Sequence, residues 1–106
     1  MNHFKVIEII DATTIRVTPS WVIENGIDEY SGDRVVIKNL RVDKYDHTAL
    51  TRLSNLLLNK DVELSAPTLM ENTITENSLV ACFVMLENVN VSYYFPEYNQ
   101  HARKHA

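Results

Sequence analysis

The spacing of apolar residues changes from alternate positions to a helical period and back again, and this change constrains the fold more than any other feature. Residues 5–10 and 14–18 read as two strands joined by a tight turn, with Ile15 and Val17 alternating inward in the second. Residues 34–42 are rich in β-branched side chains and predict a third strand. The chain therefore opens as a run of strands.

One amphipathic helix follows these strands and is predicted to begin near Asp46 or His47. Its apolar positions recur at three- and four-residue spacing, namely Ala49, Leu50, Leu53, Leu56 and Leu57. Two more strands are predicted at residues 61–65 and 79–86, the second being a continuous apolar run. That run contains the single cysteine, Cys82, which we expect to be a core residue rather than a nucleophile.

Prolines and glycines mark the predicted breaks. Pro19 is expected to end the second strand and Pro67 the fourth. The connection between the second and third strands is expected to be irregular, with turns at Gly26 and Gly32 and one helical turn near Trp21.

Three strands, a helix and two further strands are the element order of an OB-type Greek-key barrel whose helix covers one end. The sequence therefore predicts a mainly β fold with one or two helices and a five-stranded barrel. A length of 106 residues and a hydrophobic content of 45% suit one domain with a core of its own. We expect the domain to span residues 1–98 and residues 99–106 to form a charged, flexible tail.

The length of the apolar runs and the net charge restrict the cellular location and the class of partner that we expect. No apolar run approaches the roughly 20 residues of a membrane span, and the first residues lack the features of a signal peptide, so we expect a cytoplasmic protein with no membrane partner. The formal net charge of -4 opposes general attraction to nucleic acid. Charge alone favours a solvated surface for the basic cluster of Arg34, Lys38, Arg41 and Lys44, although the cluster could form a local binding face.

The segment SYYFPEY, residues 92–98, is the aromatic cluster of the chain. Exposed aromatic faces stack on bases in OB-type proteins, whereas buried ones seal a barrel end or form a partner interface. The sequence favours packing for the cluster as a whole. If Tyr93, Tyr94, Phe95 and Tyr98 are instead exposed together, they are the first surface to suspect for binding a partner.

Four stretches together resemble the staphylococcal nuclease family over residues 3–98. They are VIEIIDATTIRVTP, GDRVVIKNLRVDKYD, ALTRLSNLLLNKDVELSAP and NSLVACFVMLENVNV. In that family the first hairpin carries Asp-Gly-Asp-Thr, the third strand ends in Arg-Leu-x-x-x-Asp-x-Pro-Glu, and a later strand opens with Tyr-Gly-Arg. The aspartates help to hold a calcium ion, the glutamate activates or positions water, and the arginines stabilise charge on the phosphate.

The resemblance places Asp11 and Asp43 at two metal-site positions of the family, Lys38 at the first arginine and Asp46 at the glutamate. Thr13 replaces the aspartate that binds the metal directly. Asp46 is one methylene shorter than the family's glutamate, so its carboxylate would lie farther from the position of the general base. A misplacement of about 1 Å costs on the order of a hundredfold in rate. The family's catalytic set is therefore largely replaced.

The remaining matched positions depart further. Ala12 stands in place of the glycine, while Lys44 and Tyr45 follow the kept Asp43. The third motif falls on Glu76, Asn77 and Ser78, with no arginine. From the residues themselves, we expect Asp11 and Thr14 to cap their turn and Asp43 and Asp46 to cap the following helix.

These observations favour a catalytically inactive, nuclease-like binding module with no required cofactor. Its ligand is either nucleic acid or protein, and its candidate binding residues are Lys38, Arg41, Lys44, Tyr93 and Tyr94. One alternative is a surviving metal-dependent nuclease that uses Asp11, Asp43 and Asp46 as a rearranged carboxylate set, with Lys38 on the phosphate and calcium as the possible metal. The other is a homo-oligomeric structural protein that uses its aromatic tail as the interface.

Overall fold

A computed structural model of the chain describes residues 3–43, 45–70 and 78–95. In chain order, their elements are β1 (His3–Asp11), β2 (Thr14–Asn25), β3 (Asp28–Ile37), α1 (His47–Leu57), β4 (Asp61–Leu69), β5 (Leu79–Leu86), β6 (Val89–Asn90) and a 3-10 helix (Val91–Tyr94). The expected tail at residues 99–106 and the candidate residue Lys44 lie outside the described residues.

Five of the strands close into a barrel. β1 pairs antiparallel with β2 and β4, β2 with β3, and β4 with β5. Parallel pairing of β3 with β5 completes the ring, and the two-residue β6 lies beside β5. The prediction of a mainly β, OB-type five-stranded Greek-key barrel is confirmed.

The connection between β2 and β3 differs from the expected irregular segment. β2 continues through Pro19 to Asn25, and the chain returns directly in β3, so the expected helical turn near Trp21 is absent from this described segment. Trp21 is fully buried, and its Nε1 donates a hydrogen bond to the carbonyl oxygen of Arg34 at 3.0 Å. Ile23 and Tyr30 pair across the two strands and also pack against the core. This packing stabilises the part of the hairpin that extends beyond Trp21.

Two further strand limits were predicted wrongly. β3 ends at Ile37 rather than Val42, and β4 passes through Pro67 to Leu69. The register of β4 against β5 shifts between Ser65 and Thr68, so Pro67 lies in a bulge. A proline is tolerated there because it supplies no N–H to the ladder.

The helix packs its predicted stripe into the barrel. Ala49, Leu53 and Leu57 are buried, and both leucines belong to the central core with the inward-facing strand residues. Phe95, which follows the 3-10 helix, is also buried in this core. Among the described residues, neither α1 nor the 3-10 helix has the length and hydropathy of a membrane-crossing helix.

Candidate functional site

The β1–β2 turn and the end of β3 lie side by side at one edge of the barrel. The backbone N–H of Ile37 donates to the carbonyl oxygen of Thr13 at 2.9 Å, and that of Lys38 donates to the carbonyl oxygen of Cys82 at 2.8 Å. This pairing brings the turn that contains Asp11 next to the strand end that precedes Lys38. These are the two positions at which the nuclease resemblance indicates a metal ligand and a phosphate-binding cation.

Asp11 bonds within its own turn. Its Oδ1 accepts hydrogen bonds from the backbone N–H of Thr13 at 2.8 Å and from the Thr13 hydroxyl at 3.0 Å. An aspartate that accepts from the residue two positions ahead forms an Asx turn, which fixes a tight reversal of the chain. Ala12 is buried beneath this turn, so the position of the family's glycine contributes to packing. The DATT segment is thus a self-capped turn.

Lys38 is bound to the barrel wall. Its ammonium donates to the Thr68 hydroxyl at 2.8 Å and to the carbonyl oxygen of Ala66, both at the β4 bulge. The same nitrogen lies 5.2 Å from the centre of the Phe83 ring, within the range of a cation–π contact. Lys38 therefore links the end of β3 to β4 and β5, which is a structural use of the cation.

Asp43 and Asp46 shape the segment that leads into α1. The Oδ1 of Asp43 accepts from the backbone N–H of Tyr45 at 2.9 Å. Asp46 is the N-cap of α1, and its Oδ1 accepts from the backbone N–H of Ala49 at 3.1 Å. Asp46 thus caps the helix as expected, whereas Asp43 holds the turn that precedes it.

The acidic residues do not assemble into a metal centre. Across residues 3–43, 45–70 and 78–95, no group of three or more His, Cys, Asp or Glu side chains could hold a metal ion. Ser78, the described member of the third family motif, is buried, and its backbone N–H donates to the carbonyl oxygen of Ser31. Glu76 and Asn77 of that motif fall outside the described ranges.

Cys82 lies behind the same barrel edge and is fully buried. Burial raises the pKa of its thiol to about 11, and the nearby charge of Lys38 lowers that pKa by a smaller amount. A thiol with this pKa is protonated near neutral pH, so it is a core side chain and not an activated nucleophile.

The candidate binding residues that the structure describes differ in solvent exposure and in contacts. Arg41 is exposed on the segment after β3, while the Lys38 ammonium is bound as described above. In the aromatic segment, Tyr93 is 71% exposed and Tyr94 is 38% exposed, but Phe95 is buried. Phe95 is packed as expected, so the aromatic side chains of this segment are not all exposed together. Tyr98 lies outside the described residues.

A pocket of about 350 Å³ lies where α1 meets the 3-10 helix. We call it the α1 pocket, and its lining residues are Arg52, Asn55, Leu56, Tyr94 and Phe95. The guanidinium of Arg52 donates through Nη2 to the carbonyl oxygen of Tyr94 at 2.9 Å and lies 4.8 Å from the centre of the Phe95 ring. These two contacts fix the cation at the pocket.

Sequence reasoning identified Tyr94 but missed Arg52 and Asn55 as pocket residues. One signal was available, because residues 47–60 contain Arg52 and Lys60 and no Asp or Glu. This local positive charge contrasts with the net charge of -4 of the whole chain. Comparisons with protein-family models, with curated proteins and with solved structures found no match for this chain.

Proposed function

We propose that this chain is a non-catalytic, staphylococcal nuclease-like barrel that binds a protein segment in the α1 pocket. The observation that supports the non-catalytic role is that side chains at the family's catalytic positions serve the fold. Asp11 closes its turn, Asp46 caps α1, and the Lys38 ammonium bridges β3 to the β4 bulge. The proposal retains the cytoplasmic location that the sequence predicts.

The chemistry of phosphodiester cleavage supports the same conclusion. That reaction needs a metal or a strong base to activate water, and fixed cations to stabilise the charge that develops on phosphate. Thr13 supplies a hydroxyl in place of an anionic ligand, and the Lys38 ammonium is directed at Ala66 and Thr68. The replacement at position 13 and the contacts of Lys38 therefore support a non-catalytic role.

Charge distribution favours a protein segment over nucleic acid as the ligand. Residues 47–60 contain two cations and no acid, which leaves eight Lys and Arg against fourteen Asp and Glu in the rest of the chain. A nucleic acid approaching the α1 pocket would meet repulsion from this acidic remainder. A short segment with an apolar side chain and flanking carboxylates would place those carboxylates beside Arg52.

The α1 pocket has the composition that such a segment requires. Leu56, Tyr94 and Phe95 supply apolar surface, while Arg52 and Asn55 supply hydrogen-bond donors. Its volume is at the small end of the roughly 300–1,000 Å³ that binding sites span, so it suits a single anchor side chain. The affinity for a single anchor side chain is modest. Arg52 is already held by Tyr94 and Phe95, so little side-chain entropy is lost when a ligand binds.

The first experiment tests catalysis. Purified protein is incubated with labelled single-stranded DNA and RNA in the presence of calcium, manganese or a chelator, and we expect intact substrate in every condition. Metal-dependent cleavage that is lost in the chelator and in Asp43→Ala would establish the nuclease alternative. An active nuclease of the staphylococcal type gives the positive control.

The second experiment separates the two roles of Asp46. As an N-cap, it is replaceable by asparagine, so we expect Asp46→Asn to retain stability and Asp46→Ala to lose about 1 kcal/mol in the free energy of unfolding. If Asp46 were a general base, both substitutions would abolish catalytic activity. A variant Asp46→Asn as unstable as Asp46→Ala would contradict the capping role.

The third experiment tests the ligand class by NMR titration of backbone amides. The probes are a Glu-Glu-Ile-Asp-Glu peptide with blocked ends, the same peptide with serine in place of isoleucine, and a single-stranded oligonucleotide. We expect the isoleucine peptide to shift amides of residues 52–56, Tyr94 and Phe95, and the Asn55→Trp variant to lose these shifts. Tighter binding of the oligonucleotide, with shifts centred on Arg41 and Tyr93, would instead establish a nucleic-acid ligand.

A further inference from the structure

The β2–β3 hairpin presents an isoleucine entirely to solvent. Ile27 has a relative exposure of 101%, and the next most exposed large apolar side chain among the described residues, Tyr45, has 75%. Gly26 precedes it with φ +71, which permits the two-residue turn between Asn25 and Asp28. Since the Ile27 side chain makes no core contact, burial within its own chain does not explain it.

Acidic side chains surround this isoleucine. Glu24 and Glu29 are cross-strand partners and both are exposed, as is Asp28 beside the turn. Like charges directly opposite each other destabilise an antiparallel pair. A cation placed against the hairpin would relieve this repulsion. We call residues 24–29 the hairpin tip.

The α1 pocket complements the hairpin tip in both shape and charge. Its apolar surface from Leu56, Tyr94 and Phe95 suits a branched aliphatic side chain, and Arg52 supplies a cation beside it. The chain's own hairpin does not fill the pocket, because Ile27 is fully exposed.

We propose that the α1 pocket binds the hairpin tip of a second copy of this chain, with Ile27 as the anchor. The inference rests on the proposed function, because it names the protein segment that the pocket binds. The two surfaces differ, so the contact is heterologous and runs head to tail. Each copy donates one hairpin tip and accepts another, which generates a closed ring or an open chain of copies.

The test measures self-association by sedimentation velocity over a concentration series. We expect the sedimentation coefficient of the natural chain to rise with concentration. Ile27→Ser removes the anchor, and Asn55→Trp fills the pocket from an exposed helix position. Each is expected to weaken association by roughly tenfold to a hundredfold, the effect of losing one buried aliphatic side chain.

A mixture of the two variants tests the head-to-tail arrangement. Ile27→Ser retains a working pocket, and Asn55→Trp retains a working hairpin tip, so the mixture contains one intact interface. We expect a one-to-one heterodimer that does not grow further. If both variants abolish association alone but their mixture stays monomeric, the two surfaces do not bind each other and the inference is wrong.

A matched control is Ile7→Ser, which removes a 38% exposed isoleucine of β1 that belongs neither to the hairpin tip nor to the lining of the α1 pocket. It is expected to self-associate like the natural chain. Circular dichroism verifies that all variants fold, which for Ile27→Ser follows from the complete exposure of that side chain. Equal loss of association in Ile7→Ser and Ile27→Ser would overturn the assigned anchor.

Failure of this inference is distinguishable from failure of the proposed function. A natural chain that stays monomeric at every concentration, while the isoleucine peptide still shifts the pocket amides, overturns self-association and leaves the pocket as a site for another protein. Association that persists unchanged in Asn55→Trp overturns the use of the pocket by the hairpin tip. Loss of both peptide binding and self-association in Asn55→Trp supports both proposals.

Discussion

Lys38 illustrates how a residue that a sequence resemblance assigns to ligand binding can serve the fold instead. The nuclease resemblance assigns it to phosphate, but its ammonium contacts Thr68, Ala66 and the Phe83 ring. We predict that Lys38→Met lowers the free energy of unfolding by about 1 kcal/mol, because the methionine keeps an apolar stem and loses the hydrogen bonds. Urea denaturation measures the difference.

The matched control for Lys38 is Arg34→Met, which removes an exposed cation from the same strand region. A surface substitution of this kind changes stability by less than about 0.5 kcal/mol. Equal effects of the two substitutions would show that Lys38 acts only through general charge. Neither substitution is expected to change binding of the isoleucine peptide to the α1 pocket.

Cys82 carries a prediction about alkaline pH. Its pKa is raised from 9.0 to about 11 by burial, so the folded chain retains a proton that the unfolded chain releases. The free energy of unfolding therefore loses this contribution as pH rises from about 9 to about 11, by on the order of 2 kcal/mol, and the contribution is complete below pH 9.

The measurement compares urea unfolding of the natural chain and of Cys82→Ala over this pH range. The substitution removes the titrating thiol, so the pH dependence of the difference between the two proteins reports on Cys82. We expect the difference in stability between them to shrink as pH rises. A difference that stays constant would show that the Cys82 thiol titrates with the same pKa in the folded and unfolded chains.

Gly26 and Gly32 lie on the same hairpin region but are required for different reasons. Gly26 is in the turn with φ +71 and has open space where a Cβ would lie. Gly32 lies within β3, where a Cβ would overlap the Ser78 carbonyl oxygen and lie 3.0 Å from Cζ2 of Trp21. The first glycine therefore serves backbone conformation, and the second serves close approach of β5 to β3.

We predict that Gly32→Ala is the more destabilising substitution. Alanine at position 32 must displace the backbone at the start of β5 and costs about 3 kcal/mol, whereas Gly26→Ala costs about 1–2 kcal/mol for its left-handed backbone. Urea unfolding of the two variants gives the comparison. A larger loss in Gly26→Ala would contradict the close packing of the parallel pair.

Sequence patterns predicted these elements where the signal was local. The alternation in β2, the continuous apolar run of β5 and the stripe of α1 predicted the barrel order, and Asp46 was recognisable as a cap. The extension of β2 was missed because Pro19 was taken as an end, although burial of Trp21 continues the strand beyond it. The α1 pocket depends on the meeting of Arg52 with Phe95 across a long stretch of chain, which no local pattern encodes.

Positive and negative charges are concentrated in different parts of the molecule, and this separation favours contact between copies. The segment that contains α1 and Lys60 is basic, and the hairpin tip is acidic and apolar. The two surfaces consist of different residues, so a copy that binds through one keeps the residues of the other for a further copy. Head-to-tail growth is therefore the geometry that such a distribution favours.

The closed barrel also predicts one cooperative unfolding transition. Its five strands and α1 share a single core, and Trp21, the only tryptophan, is fully buried within it and bonded to the Arg34 carbonyl oxygen. We expect tryptophan fluorescence and far-ultraviolet circular dichroism to report the same midpoint in urea, since loss of the parallel β3–β5 pairing opens the whole ring. In the Ile27→Ser variant, which removes the proposed association, the midpoint should also be independent of protein concentration. Fluorescence that changes at a lower urea concentration than circular dichroism would show that the β2–β3 hairpin separates from the barrel before the rest unfolds.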